Sequence, residues 1–101
     1  MNDQKDRLRT DAQRGEEARA CLENPAFKQA MQALQDQIVD EWSKCPVRDV
    51  EGQKLLLQLH KLSVKFQGML TGMVETGKLA QVNLDAERDE GAARKLFRRI
   101  V

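Results

Sequence analysis

The chain has 101 residues, 33% of them charged, and 17 Lys and Arg against 16 Asp and Glu leave a formal net charge of +1. A length of this order holds one domain at most, and so even a balance supplies no global field toward nucleic acid or a lipid surface; electrostatic docking has to be local. The longest wholly apolar run is three residues, 55–57, and the chain opens on Met1, Asn2, Asp3, Gln4, Lys5 and Asp6, so neither a membrane span nor a signal peptide is expected, and the cytoplasm is the expected compartment.

Residues 1–23 form a polar, partly ordered segment in this reading. Asp, Lys, Arg, Gln and Glu dominate residues 2–23, with only Leu8, Ala12, Ala18, Ala20, Cys21 and Leu22 to bury. That pattern predicts a weakly amphipathic helix, frayed up to about Gly15. Asn24-Pro25 is a start signal, because Asn accepts backbone hydrogen bonds as an N-cap and Pro fits the first helical position. The helix that follows carries Phe27, Met31, Leu34, Ile38 and Trp42 on one face, and Pro46 ends it near Lys44.

A short connection, Cys45 to Asp49, leads to a second arm capped by Asp49, and short links between long amphipathic helices make antiparallel neighbours. The expected core is thus a helical hairpin over residues 24–76. Its second arm bears an unbroken seam of Leu55, Leu59, Leu62, Phe66, Met69 and Met73, spaced alternately four and three apart. This arm outruns its partner, and in a chain so short the overhang leaves apolar surface for a further molecule. Gly77 follows Thr76 as a possible C-terminal cap, with a bend expected before the amphipathic pattern resumes. Gly68 and Gly72, four apart, would admit a closely approaching backbone or soften the helix.

Residues 77–101 form a C-terminal helical extension. Four acids lie in residues 85–90, after which Arg94, Lys95, Arg98 and Arg99 accompany Leu96, Phe97, Ile100 and Val101 with no acid among them. A basic, apolar end of this kind suits docking in a partner's groove or on an acidic surface. The fold class expected from the whole chain is all-α and oligomeric.

Catalytic chemistry has no foothold in the residues. His60 has no nucleophile at a useful spacing, Cys21 and Cys45 with His60 are too few for tetrahedral zinc, and the two thiols read as reduced. No GxGxxG, GxxxxGK[ST] or HExxH occurs, and the carboxylates of Asp40-Glu41, Glu16-Glu17 and Asp89-Glu90 are adjacent and so splay around a helix. No enzyme, cofactor or metal is expected. The C-terminal arginines suit phosphate contacts, but aromatics are 4% of residues with no Tyr, leaving few stacking platforms for nucleic acid.

Three segments carry a resemblance: residues 20–27 (ACLENPAF), 42–49 (WSKCPVRD) and 75–80 (ETGKLA). Together they resemble a group of small helical proteins of tailed bacteriophages and prophages encoded among head and packaging genes. The resemblance spans about residues 19–84, excludes the basic end, and transfers no catalytic or ligand residue. It implies a virion or assembly role without fixing which; with the overhanging seam and the basic, apolar end, the expectation is a non-enzymatic assembly or virion accessory protein, scaffold-type, head or portal-proximal, acting in the host cytoplasm and partnered by itself and by a larger head, portal or packaging protein. A small phage regulator or host-defence inhibitor, and a small DNA-packaging subunit, are the competing readings.

Overall fold

A computed structural model describes residues 2–100, with the side chains of residues 3–99. Three helices make up nearly all of it: α1 (Asn2–Glu23), α2 (Pro25–Lys44) and α3 (Val50–Ile100). No strand occurs among the described residues. The chain divides into two units, Arg19–Thr71 and Met1–Ala18 with Gly72–Val101.

In the unit Arg19–Thr71, local chemistry sets the helix ends. Asn24 is extended (φ −66°, ψ 125°) and its side-chain oxygen accepts a hydrogen bond from the Phe27 N–H at 3.1 Å, with Pro25 at the first helical position. Cys45 is extended because the residue before a proline is pushed out of the helical region. Asp49 then caps α3, its carboxylate accepting from the Gly52 N–H at 3.0 Å. Gln53 ties the connection together. Its Oε1 accepts from Trp42 Nε1 at 2.7 Å, while its Nε2 donates to the carbonyls of Cys45 and Pro46 at 3.5 and 3.3 Å.

Contacts between α2 and α3 in this unit fall in one order, with residue numbers rising along α2 as they fall along α3. The Phe27 and Phe66 ring centroids lie 6.3 Å apart, Gln35 Nε2 donates to Ser63 Oγ at 2.5 Å, and Trp42 meets Gln53. Ser63 is buried, and its hydroxyl donates onward to the His60 carbonyl at 2.8 Å. A satisfied polar pair among apolar neighbours defines the register, because sliding either helix would strand the amide or the hydroxyl.

Of the seam read from the sequence, α3 sets Phe66 against Phe27 of α2 but does not bury the seam as a whole. Leu56, Ser63, Gln67 and Leu70 are the more sheltered positions, whereas Leu55, Leu59, Leu62, Phe66 and Met69, mostly one position earlier, are exposed. Leu62 retains 64% of its accessible surface and Phe66 48%. The reason is angular. At about 100° per residue, the apolar arc from Met69 round to Leu56 spans roughly 140°, and one neighbouring helix covers about half of that.

In the other unit, α1 and α3 touch backbone to backbone. A Cβ built on Gly15 would lie 2.7 Å from Gly77 Cα and 2.9 Å from the Met73 carbonyl oxygen, and one on Gly77 would lie 2.7 Å from Gly15 Cα and 3.0 Å from the Asp11 carbonyl oxygen. Both glycines are buried, as are Ala18 and Ala80. Gly77 therefore does not cap α3, which continues through it, and no described glycine has a positive φ. α1 is helical from Asn2. Close approach does not occur at Gly68 or Gly72 within the chain, since an added Cβ at either meets nothing within 4 Å.

Candidate functional site: an apolar groove

An apolar groove lies within the unit Arg19–Thr71. Met31, Leu34 and Ile38 of α2 form one wall of a groove of about 680 Å³, and Leu59, Leu62, Phe66 and Met69 of α3 form the other, with Ser63 between them and Lys65 as the single charged side chain. Ile38, buried to 4% exposure, anchors the α2 wall. The groove has arisen because the α2–α3 contact runs along one edge of the α3 arc and leaves the other edge open.

Most residues of the seam meet here, and some do not. Phe27 is half-buried against Phe66 and lies outside the groove lining. Trp42 is 45% exposed at the far end of α2, held by Gln53. Leu55 is exposed beyond the lining, and Met73 is exposed in the other unit. The structure adds residues that the period alone did not single out: Gln35 and Gln53, which hold the register and the turn, and Leu56, Ser63, Gln67 and Leu70, which form the sheltered stripe. The signal for the stripe was present, because 56, 63, 67 and 70 repeat the three-and-four spacing one residue out of phase with the larger side chains.

At the C-terminal end of α3, Arg94, Lys95, Leu96, Phe97, Arg98 and Arg99 are all exposed on helix. Leu96 and Phe97 fall on one side of the helical wheel and the four bases on the other. Arg98 and Arg99, in the last turn, also complement the negative end of the helix dipole. The expectation for Ile100 concerns a side chain outside those described.

The Ser63 hydroxyl is engaged with an amide and a carbonyl, and His60 Nδ1 lies 3.3 Å from Gln35 Oε1, an acceptor. Among the described residues no group of three or more His, Cys, Asp or Glu is placed to hold a metal ion. No helix among them is long and apolar enough to cross a membrane. What the groove offers is apolar surface to another apolar face.

Cys21 and Cys45 are free thiols. The Cys45 thiol is pushed above its ordinary range, first by partial burial, then by the Asp49 carboxylate, whose oxygen lies 3.8 Å from Sγ and accepts its hydrogen bond. A negative neighbour opposes a second negative charge, so Asp49→Asn is expected to lower the thiol pKa and speed iodoacetamide alkylation of Cys45 in a Cys21→Ser background near pH 8. An unchanged rate would show that Asp49 does not act on the thiol.

The chain matches no family model, no curated protein and no solved structure.

Proposed function

We propose that the chain is a non-enzymatic association module of a tailed bacteriophage, an assembly or virion accessory protein of scaffold, head or portal-proximal type. Its two antiparallel arms, α2 and the first half of α3, bind through the open apolar groove, and the basic, apolar end of α3 docks on a larger head, portal or packaging protein. The observation that carries this reading is the uncovered stripe of Leu59, Leu62, Phe66 and Met69, because monomeric proteins that act alone seldom leave contiguous large apolar side chains in water. The resemblance of residues 20–27, 42–49 and 75–80 to small phage proteins supplies the assembly context.

Exposure of Arg94, Lys95, Leu96, Phe97, Arg98 and Arg99 together supports docking at that end. Mass spectrometry of purified particles and their assembly precursors, from cells making the chain alongside the phage, tests the reading. The chain is expected among the particle or precursor proteins, and removal of residues 92–101 is expected to lower its recovery at least several-fold. Absence from every particle fraction, or full recovery of the shortened chain, contradicts it.

A further inference from the structure

We infer that the occupant of the groove is a second copy of this chain, seated groove to groove about a two-fold axis, so that α2 and the first half of α3 from two protomers close one four-helix bundle. The inference deepens the association reading above and rests on it by naming the partner of that surface.

Area is the first argument. A folded monomer of 11.5 kDa is expected to expose about 5,800 Å² and the chain exposes 8472 Å², an excess spread over both units, of which the groove, with Leu34, Leu59, Leu62, Phe66 and Met69 each at least 44% exposed, is one continuous apolar part. A stable protein dimer buries roughly 800 Å² on each partner, and obligate dimers bury more. The interior tells the same story: among the described residues the buried apolar ones are Ala18, Ile38 and Ala80, and no large side chain is fully enclosed. A chain with so little of its own core has what it needs for stability only on its surface.

The chemistry of the groove then selects a copy of itself. Both walls are apolar, and a two-fold arrangement sets each wall against an apolar wall of the partner with no charge opposed to hydrocarbon except the flexible Lys65 at the edge. The one uncharged polar group of the lining, the Ser63 hydroxyl, already accepts from Gln35 and donates to the His60 carbonyl within the protomer, so the partner needs no matching donor. A net charge of +1 gives two copies little long-range repulsion. Two-fold closure uses the same patch on both partners and leaves none of it over, which limits the assembly to two.

The test places one cysteine at a time in a Cys21→Ser, Cys45→Ser chain. Leu62→Cys lies in the groove and Val64→Cys outside it, yet within a single chain the two positions are similarly open, 64% and 53% exposed. At hundreds of micromolar, Leu62→Cys is expected to react with iodoacetamide at least about tenfold more slowly than Val64→Cys, each rate taken relative to the same variant in urea, and to recover on dilution. Sedimentation equilibrium is expected to give twice 11.5 kDa, and Leu62→Lys, unlike Val64→Lys, to lose the paired species. Equal alkylation rates at every concentration overturn the inference, as does a single-chain mass or a mass that climbs past two copies without limit. A pair that never enters a particle leaves this inference standing while removing the assembly role, and a particle protein that stays single does the reverse.

Discussion

Gly77→Ala is expected to destabilise the chain by about 1–3 kcal/mol, although alanine is the better helix former by about 1 kcal/mol. The two effects are separable. Any Cβ at position 77 sits 2.7 Å from Gly15 Cα, and its obstacles are backbone atoms of α1, which yield only if the two helices move apart. Gly15→Ala meets Gly77 Cα and the Met73 carbonyl oxygen in the same way and is expected to match it. Gly68→Ala supplies the control, since nothing lies within 4 Å of its added Cβ, and there the propensity gain of about 0.5–1 kcal/mol is expected to appear as higher stability. Urea titrations followed by circular dichroism measure all three variants. Equal gains at 68 and 77 would mean that α1 and α3 do not touch at the glycine pair.

Ile38→Ala is expected to cost about 2–4 kcal/mol, a large loss for a chain with so few buried apolar side chains. Ile38 is 4% exposed, so its removal leaves a cavity that the neighbouring α2 and α3 side chains fill only partly. Leu62→Ala, judged by seam position alone, would cost as much. At 64% exposure within the chain, it instead removes little packing from a single copy, and its cost is expected to stay under about 1 kcal/mol at high dilution and to grow with protein concentration as pairs form. Denaturant titrations at two concentrations separate the two residues. A loss at Leu62 equal to that at Ile38 and independent of concentration would put Leu62 inside the protomer.

Much of the local structure was legible because it is written in short-range chemistry. Asn24-Pro25 announced the start of α2, Pro46 its end and Asp49 the cap of α3, and each needs only its own neighbours to act. The apolar period placed Phe27, Met31 and Ile38 on the sheltered face of α2. What the period did not supply was phase. On α3 the largest side chains and the contact stripe share one spacing and differ by a single residue, and choosing between 55-59-62-66 and 56-63-67-70 requires knowing which helix lies alongside. Gly77 was misread for a related reason. A glycine after Glu75-Thr76 looks like a helix end until Gly15, 62 positions away in sequence, is found against it. The polar α1 offered little apolar signal because its buried residues, Gly15 and Ala18, are small, and at Gly15 close approach substitutes for large side chains.

The groove itself followed from that unread phase. An α3 arc too wide for one neighbour leaves half its apolar surface uncovered, and the sequence shows the width of the arc but not the side from which α2 approaches.

Thermal unfolding at two protein concentrations a hundredfold apart tests most directly whether this surface belongs against a second molecule. With two copies sharing one core, Tm is expected to rise by roughly 5–10 °C at the higher concentration. A Tm that is the same at both would mean that each chain stands alone with its apolar groove open to water.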